Sequence, residues 1–507
     1  MVKPAAREVA AGKRRLAKDC GMSTQDTFTD GMPPEGSFDG DGPPPGMFGG
    51  DGPPPGMFGG DGPPPGMFDG DGPPDGMFSF PELAEDEYNP YDPRVLQNPF
   101  PFYQTMREKA TVYKSPLSSQ FWMFSEGGEE RDVYIVTGYR ELAVVLENSE
   151  LFTSEEKAGV EVPEPVQNEL ARGYPIMSTL YSLDPPEHTR RRHVSQRALS
   201  GERVAAKEPE IRATANEFID KFVRDGHADL YKQYCTPFVQ AAMLDFIGMP
   251  RADHGNITGW TQAFQEVCIP GTTPVDQVQA ARDVVAYQRY FEEAIASRQA
   301  RPRDDLLGVL AEARNAPDCP ISMGEMLWGV MELIGAGYGN TAESLVNVFH
   351  TLLVEPARWD ALLADPSLAG GAVEEALRME GSVHWLSRST AKEVELGGVT
   401  LPAGTTVVCL FAAANRDPEA FPNPDEFDLR RAGAGPLGRH LATGRGVHYC
   451  VGGLWARAAL RIGVETLLER IPDVRFKTGF QANYLMAAPM IRVVSELPVV
   501  WDPARLN

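Results

Sequence analysis

The sequence lacks the features that would mark a membrane, secreted or nucleic-acid-binding protein. It has no run of about eighteen or more apolar residues, so we expect no transmembrane helix or membrane anchor. The starting segment MVKPAAREVAAGKRRLAKDC has charges but no apolar core, so it does not read as a secretory signal. The formal net charge is −24, which argues against nucleic acid as a partner because phosphate binding needs a basic face. These absences predict a soluble acidic protein of the cytoplasm.

Cysteine is scarce and widely spaced. The six cysteines are Cys20, Cys235, Cys268, Cys319, Cys409 and Cys450. No two of them form a C-x-x-C pair, which argues against a zinc site, an iron–sulfur cluster or a disulfide framework. We expect most of them to be ordinary buried thiols, with Cys450 as the exception.

Glycine and proline are abundant, and many of them lie in one N-terminal repeat. Residues 30–78 carry DGPPPGMF three times, flanked by degenerate copies, at a period of ten marked by phenylalanine. Proline fixes φ and glycine loosens the backbone, and one aromatic residue per period buries too little area to offset ordering entropy. We therefore predict a disordered tail over residues 1–84 with polyproline II character. It is either a solubilising linker or a Met-Phe array that binds a protein partner or other copies of the chain.

The remainder, residues 85–507, has the composition of a globular body with a mainly helical pattern. A helix is predicted in NPFPFYQTMREKA, and a strand followed by a helix in DVYIVTGYRELAVVLENSELFTS. Short strands are predicted in HWLSRSTAKEVELGGVTLPAGTTVVCLF, which contains a Gly-Gly turn. The last helix should run from about Val451 to Arg470. The fold class is therefore mainly α with small β-sheets, that is, α+β.

One long helix contains an internal weak stretch. Ser322 and Glu325 form a capping box at its start, and its apolar periodicity continues until shortly before Pro356. Within it lies GAGYGNTAES, residues 335–344, although each interior glycine costs a helix about 1 kcal/mol relative to alanine. Glycine inside an element often indicates a close approach of the backbone to something else.

Cys450 lies between a glycine-rich turn and the start of the last helix, in HLATGRGVHYCVGGLWARAAL. A helix N-terminus carries partial positive charge and free N–H groups, which lower the pKa of a thiol and favour the thiolate. The surrounding glycines allow backbone or a flat ligand to approach closely. Taken alone, the pattern fits a buried cysteine beside a glycine turn equally well.

This segment resembles the heme-binding loop of the cytochromes P450, F-x-x-G-x-x-x-C-x-G, and the helix after it. The matching candidate cofactor-binding positions are Gly444, Gly446, His448, Cys450 and Gly452, with Arg445 at a variable position. Thr443 stands where the family usually has phenylalanine. The resemblance implies a cytochrome P450 fold, heme b (iron protoporphyrin IX) as cofactor and the Cys450 thiolate as the proximal iron ligand.

Further segments carry the same resemblance, which extends from about Glu85 to the C-terminus. EEALR supplies Glu375 and Arg378, the family's structural E-x-x-R pair, although such a pair alone would be read as a solvated ion pair. ANRDPEAFPNPDEFDLRR matches the segment that follows in the family. Glu426 stands there in place of a common arginine, so Arg430 is the candidate for the third member of the charge network. DPPEHTRRRHVSQRAL and LSRSTAKEVELGG resemble the family's C helix and the strand after its K helix.

Two sets of basic residues follow from the matching motifs. The resemblance implies that His188, Arg192, Arg388 and His448 bind the heme propionates, a solvated basic face being the alternative. A second set lies by sequence on the thiolate side and comprises Arg190, Arg191, Arg439, His440, Arg445, Arg457 and Arg461. A basic patch on so acidic a protein would steer an acidic electron donor. Soluble bacterial-type P450s generally use a ferredoxin and its reductase, and we expect these as partners.

GAGYGNTAES is similar to the distal-helix signature of the family, Ala-Gly-x-acid-Thr-Thr. Ala336, Gly337 and Thr341 match it, whereas Gly339 replaces the acid and Asn340 replaces the first threonine. In the family, small residues open a groove for O2, and the acid and threonine help to deliver protons. Gly339 cannot donate a proton, and the Asn340 amide can order a water but cannot relay a proton as a hydroxyl does.

Three accounts of this departure remain open. Water or a substrate hydroxyl carries the protons in an ordinary monooxygenase, or the enzyme uses peroxide or catalyses coupling or rearrangement, or the protein binds heme with little oxygenase activity. Glu343 is a possible substitute acid if it faces the groove, although it lies about 6 Å further along the helix axis than Gly339.

The sequence thus predicts a heme-thiolate monooxygenase that acts on a hydrophobic small molecule, such as a terpenoid or another secondary metabolite. The candidate pocket residues are Met177, Tyr181, Phe264, Ile269 and Trp385, all of which are also ordinary core residues. The alternative from another class is an interaction protein that is recruited through its N-terminal repeat.

Overall fold

The computed structural model describes residues 83–119, 122, 131–155, 162–268, 276–314, 321–488 and 490–505. The chain divides into a unit Met1–Asp61 and a unit Gly62–Asn507, and every described residue belongs to the second. The tail predicted over residues 1–84, with its repeat, therefore lies outside the described residues except at its last two positions.

Helices make up most of the described chain. Their bounds are α1 Pro93–Gln97, α2 Phe100–Lys109, α3 Tyr139–Glu147, α4 Glu164–Leu170, α5 Glu187–Ala198, α6 Gly201–Asp220, α7 Thr236–Ile247, α8 His254–Cys268, α9 Gln277–Ala300, α10 Leu306–Ala313, α11 Met323–Leu353, α12 Pro356–Ala364, α13 Ala369–Glu380, α14 Phe411–Ala414 and α15 Gly453–Arg470. A π-helical turn, Tyr231–Cys235, precedes α7. Within the described part of the chain, no helix is both long and apolar enough to span a bilayer.

The strands form small sheets. Their bounds are β1 Val112–Lys114, β2 Val133–Val136, β3 Phe152–Thr153, β4 His227–Asp229, β5 Leu386–Thr390, β6 Val394–Leu396, β7 Val399–Leu401, β8 Thr406–Cys409, β9 Ala434–Gly435, β10 Gly438–Arg439, β11 Arg475–Phe476, β12 Tyr484–Ala488, β13 Ile491–Val494 and β14 Pro498–Val500. The main sheet has the order β1-β2-β8-β5-β3, in which β2 and β8 are parallel and the other pairs antiparallel. The predicted Gly-Gly turn joins β6 to β7, with both glycines at positive φ. The predicted α+β class is confirmed.

The long helix α11 runs through the core and packs against α7, α8, α13 and α15. The predicted capping box is present: the Ser322 hydroxyl accepts the Glu325 N–H, and the Glu325 carboxylate accepts the Ser322 N–H. The helix ends at Leu353, as the position of Pro356 predicted, and Pro356 is the first residue of α12. The glycines of GAGYGNTAES do not interrupt it, because tertiary packing outweighs their low propensity.

A buried ion pair fixes α13 to the loop that follows α14. Glu375 Oε1 lies 2.8 Å from Arg378 Nη2, and neither side chain is accessible to solvent. Arg378 also donates to the carbonyl oxygens of Asn415 and Pro424. Buried charges are stable only when they are paired and hydrogen-bonded, so this pair is structural rather than the solvated pair that spacing alone would suggest.

The third member of this network is Arg431, so the prediction of Arg430 was wrong. Arg431 Nε lies 3.1 Å from Glu375 Oε1, and the Arg431 side chain is nearly buried. Arg430 is exposed, and its backbone N–H donates to Asp428. Neighbouring residues of an irregular segment point in different directions, and no periodicity in the sequence reveals which of them faces inward.

Replacing Arg431 with alanine should lower the free energy of unfolding by about 2–3 kcal/mol, because Glu375 would stay buried with one of its two cationic partners removed. Arg430→Ala is the matched control and should change the value by less than about 0.5 kcal/mol. Urea denaturation of both variants measures the difference, and equal effects would contradict the assignment of Arg431.

Candidate functional site

The Cys450 loop is shaped by its glycines. Gly444 and Gly446 both have φ +71, and a Cβ on Gly446 would come within 2.2 Å of the Leu146 carbonyl oxygen. The Cys450 N–H donates to the Thr443 carbonyl oxygen at 2.9 Å, which closes the loop. The helix α15 begins at Gly453, and the N–H groups of Gly452 and Gly453 donate towards the Cys450 sulfur. The predicted position of Cys450 at a helix N-terminus is therefore confirmed.

The pKa of the Cys450 thiol does not follow the prediction. The protein surrounds the sulfur of Cys450 closely enough that burial raises the pKa of its thiol. The N–H groups of Gly452 and Gly453 and the charges of Arg457 and Arg192 lower it without offsetting the burial. The predicted lowering was wrong for the protein alone, because the helix-terminus argument omits the desolvation of the charged form.

A basic cluster, His188, Arg192, Arg388 and His448, brings together side chains of α5, β5 and the Cys450 loop. The rings of His188 and His448 lie 4.2 Å apart between centroids, and Arg192 and Arg388 act electrostatically on both. Burial and then the neighbouring positive charges lower the pKa of His188 to about 4. His188 is buried, and neither ring nitrogen has a hydrogen-bond partner among the described residues. Asp184 Oδ1 lies 3.9 Å from His448 Nε2. Because the basic side chains outnumber this carboxylate and the buried His188 nitrogens need a partner, the cluster fits an additional anionic group.

Arg445 lies apart from the basic cluster. Its Nε donates to Glu147 Oε1 at 2.5 Å, and its Nη1 donates to the Tyr139 hydroxyl at 3.4 Å. The structure thus gathers four of the basic residues named from the motifs and directs Arg445 to another part of the loop surface.

Glu374, next to Glu375 on α13, holds both ends of the Cys450 loop. Its carboxylate accepts from Arg457 Nε and Arg439 Nη2, each at 2.6 Å, and contacts His440 Nε2 at 3.1 Å. Burial opposes ionisation, but the His440 hydrogen bond and the Arg457 charge lower the pKa of Glu374 to about 2. Arg457 also donates to the Thr443 hydroxyl. Sequence analysis missed Glu374, and its only signal was its place within EEALR.

The basic residues expected to form an electron-donor patch are mostly paired within the protein. Arg461 pairs with Glu208 and Glu465, Arg190 pairs with Glu187 and Glu325, and Arg191 donates to the Ser178 carbonyl oxygen. Together with the partners of Glu374 and of Arg445, these contacts show that most of the basic residues expected to form the patch are paired with groups of the protein, so the patch carries less net positive charge than the sequence suggests. The sequence shows cations near each other but not the carboxylates that the fold packs against them.

On the other side of the core, α11 presents the predicted distal residues. A Cβ on Gly337 would lie 2.1 Å from the Met243 Cε of α7, so this glycine allows close helix packing. Ala336 is exposed, and nothing lies within 4 Å of a Cβ placed on Gly339. The Asn340 carbonyl oxygen accepts from the Ser382 hydroxyl at 3.2 Å. Thr341 is buried, so it faces protein rather than open space.

Two further glutamates of α11 are enclosed. Glu332 accepts the Leu180 N–H with both carboxylate oxygens at 2.9 Å, and burial raises its pKa to about 7. Burial raises the pKa of Glu343 to about 8. In the sequence, both residues look like ordinary polar positions of an amphipathic helix. Only their enclosure in the structure distinguishes them from the other polar residues of α11.

The candidate pocket residues have different environments. Trp385 packs against Trp122 in the core at 5.1 Å between ring centroids, and Phe264 packs against Trp328 at 5.2 Å. Tyr181 is exposed, and Ile269 lies outside the described residues. A cavity of about 610 Å³ lies next to the segment that precedes Tyr181 in the chain. It is lined by residues between Val162 and Ile176.

Known proteins resemble this chain over most of its length. The sequence model of the cytochrome P450 family matches residues 367–472, which include α13 and the Cys450 loop. The chain is 31% identical over 411 residues to the cytochrome P450 monooxygenase PikC of Streptomyces venezuelae, which covers 80% of this chain and 92% of PikC. It is 32% identical over 378 residues to the mycinamicin IV hydroxylase/epoxidase of Micromonospora griseorubida, at 74% and 90% coverage.

A solved structure shares the fold. Cytochrome P450 CREJ in complex with (4-ethylphenyl) dihydrogen phosphate superposes with a TM-score of 0.70 at 28% identity, covering 83% of this chain and all of that one.

Replacing Glu374 with glutamine should lower the free energy of unfolding at pH 7 by about 3 kcal/mol. The folded pKa, about 2, lies below the value of 4.5 for a free glutamate, so this contribution is complete above pH 4.5. It should disappear as the pH falls towards 2, and the difference between variant and wild type should shrink over that range.

Urea denaturation at pH 7, 4.5 and 3 measures this difference. Glu419→Gln removes an exposed ion pair with Arg140 and serves as the control, with an expected effect of about 0.5 kcal/mol or less. A difference for Glu374→Gln that stays constant from pH 7 to pH 3 would contradict the role assigned to its charge.

Proposed function

Since this chain belongs to the cytochrome P450 family, we propose that its Cys450 loop, basic cluster and helix α11 form the heme site of a monooxygenase of hydrophobic small molecules. The chain is a cytochrome P450 monooxygenase, and the cofactor of this family is heme b. The overall reaction combines RH, O2, two electrons and two protons to give ROH and water. The observation that carries the proposal is a cysteine at a helix N-terminus whose loop contributes His448 to the basic cluster.

We propose that the Cys450 thiolate holds the heme iron and that the basic cluster binds the propionates. The N–H groups of Gly452 and Gly453 support this role because they donate towards the sulfur and stabilise its negative charge. His188, which is neutral at pH 7, can donate from one of its unpartnered ring nitrogens to a carboxylate of the cofactor, and Arg192 and Arg388 beside it supply positive charge. Heme, when bound, supplies the oxygen-activating chemistry of the family.

We assign the distal wall to Ala336, Gly337, Gly339, Asn340 and Thr341. Ala336 and Gly339 leave space beside the helix, and the Asn340 amide can hold a water by hydrogen bonding. Gly337 sets the distance to α7, and Thr341 packs inward.

The alternative is an enzyme that uses peroxide or catalyses coupling or rearrangement, since Gly339 and Asn340 cannot relay protons. Turnover with hydrogen peroxide but not with a reduced ferredoxin would favour this alternative.

We propose a ferredoxin and its reductase as electron donors, in the cytoplasm. Around the Cys450 loop, Val447, Tyr449 and Leu454 are large apolar residues with exposed surfaces, which support a docking site for a protein. Since the nearby cations are paired internally, this contact would rest on apolar packing more than on charge. The substrate we propose is a hydrophobic secondary metabolite such as a terpenoid.

We also propose that residues 1–84 form a tail and residues 85–507 the heme domain. The relatives support this division because they match about four fifths of the chain or less, while nearly all of each relative is covered. A role of the repeat in residues 30–78 in recruiting a protein partner is a second candidate function, favoured by its regularly spaced Met-Phe pairs.

Replacing Cys450 with alanine should abolish the red-shifted Soret band of the reduced protein with carbon monoxide, because the band requires a thiolate ligand. Cys268→Ala, which removes another thiol that is not fully buried, is the control and should keep the band. Absorbance spectroscopy of the wild type and of both variants measures this band. A band retained by Cys450→Ala would refute the assignment of Cys450 as the iron ligand.

Deleting residues 1–84 should leave this band and the turnover rate within about two-fold of the full chain, since the candidate site lies in the remainder. Affinity purification of both forms from the source cells tests the repeat. Loss of a co-purifying protein on deletion would support recruitment, and loss of turnover would contradict the proposed division.

A further inference from the structure

The helix α11 carries a carboxyl group one turn beyond the position where the acid of the distal signature is missing. Glu343 follows Gly339 by four residues, so the two positions lie on the same face of the helix. Long side chains of a helix lean towards its N-terminus and cover the preceding turn, which here is the turn of Gly339. A Cβ on Gly339 would meet no atom within 4 Å, so the space beside this turn is open and the Glu343 side chain does not fill it.

The Glu343 carboxyl is enclosed without a hydrogen-bond partner for one of its oxygens. Its Oε2 is fully buried and has no partner among the described residues, whereas Glu332, on the same helix, has both oxygens bound by the Leu180 N–H. A structural carboxylate would be expected to satisfy both oxygens, as Glu332 does. An unpartnered acid in the interior therefore points to a group that meets water or a ligand during function.

The surroundings of Glu343 favour its protonated form. Burial raises its pKa to about 8, and no cation among the described residues acts on it to lower this value. The titratable groups that interact with it are Tyr338 of α11 and Tyr231 of the π-helical turn, beyond which lies Cys235. Burial raises the pKa of each of these groups, so all of them stay neutral at pH 7. Glu343 is thus a neutral carboxylic acid with a pKa near the working pH, which suits a general acid.

We propose that Glu343 is the proton donor of the groove beside Ala336, Gly339 and Asn340 of α11, here called the distal groove, and replaces the acid that Gly339 lacks. The Glu343 carboxyl O–H releases its proton to a water ordered by the Asn340 amide, becomes a carboxylate and regains a proton from solvent. No electron moves at Glu343, and O2 and both electrons come from the proposed reaction. This inference rests on the proposed function, because the protons are consumed at the heme that the Cys450 loop is proposed to hold.

A competing route exists on the neighbouring face of the helix. Ser344 and Ser382 share a hydrogen bond of 2.9 Å, and Ser382 donates to the Asn340 carbonyl oxygen. These hydroxyls can pass a proton along but have no tendency to release one at neutral pH. The test therefore includes Ser344→Ala beside the Glu343 variants.

The first measurement needs neither substrate nor electron donor. Infrared spectroscopy of the ferric protein should show a protonated carboxyl band that disappears as the pH rises through about 8. Glu343→Gln should lack this band, and Glu332→Gln should keep it. A band in Glu343→Gln that still titrates near pH 8, rather than near pH 7 as expected of Glu332, would overturn the assignment.

The second measurement follows proton delivery itself. Protein reduced with dithionite is mixed with aerated buffer, and the rate of oxidation is recorded from the Soret band between pH 6 and 9. The wild-type rate should fall as Glu343 loses its proton near pH 8, and Glu343→Gln should be about 100-fold slower at pH 7 and independent of pH. Glu343→Asp should restore the pH dependence, and the reduced carbon monoxide band of every variant reports an intact heme site.

The outcomes separate this inference from the proposed function. Wild-type pH dependence in Glu343→Gln, or its loss in Ser344→Ala alone, would overturn the role of Glu343 while the carbon monoxide band persists. A wild-type protein without that band would instead refute the proposed heme site, and the role of Glu343 with it.

Discussion

Two adjacent buried carboxylates on α13 hold the rest of the site in place. Glu375 pairs with Arg378 and Arg431, and Glu374 binds Arg439, His440 and Arg457. A buried charge without a partner costs several kcal/mol, so the segments that carry these cations are tied to α13. The course of the chain from the end of α14 to the first turn of α15 depends on this constraint, and with it the position of Cys450.

The distribution of partners divides the basic residues into two groups. Near α13 and along α15 the cations meet carboxylates of the protein and form internal ion pairs. In the basic cluster they meet one another, and both nitrogens of the buried His188 lack a partner among the described residues. The same residue types therefore serve as structural contacts on one side and as an anion-binding site on the other. A carboxylate also lies near the basic cluster, since Asp184 Oδ1 is 3.9 Å from His448 Nε2, but it gives His188 no hydrogen-bond partner.

The distal helix shows a similar division between its two enclosed glutamates. Glu332 binds the backbone at Leu180 and thereby holds the segment before α5 against α11. Glu343 has no such contact for Oε2, and the turn before it has no side chain at Gly339. The chain thus departs from the family signature at Gly339 and Asn340, and Glu343, on the same face of the helix as Gly339, has a carboxyl oxygen without a hydrogen-bond partner among the described residues. That coincidence is the physical basis for treating the distal groove as a site with its own proton chemistry.

The sequence by itself determined the features that depend on neighbouring residues: the capping box at Ser322, the end of α11 before Pro356, the Gly-Gly turn, and the loop that places Cys450 at a helix start. These features follow from local backbone preferences, and the motif order around them was enough to indicate the family. Only the tertiary structure decided the choice of Arg431 over Arg430, the raised pKa of the Cys450 thiol, the pairing of the basic residues and the enclosure of Glu343. Each of these depends on burial and on groups that are distant in the chain, and desolvation and Coulomb energies are set by three-dimensional distances that residue order does not contain.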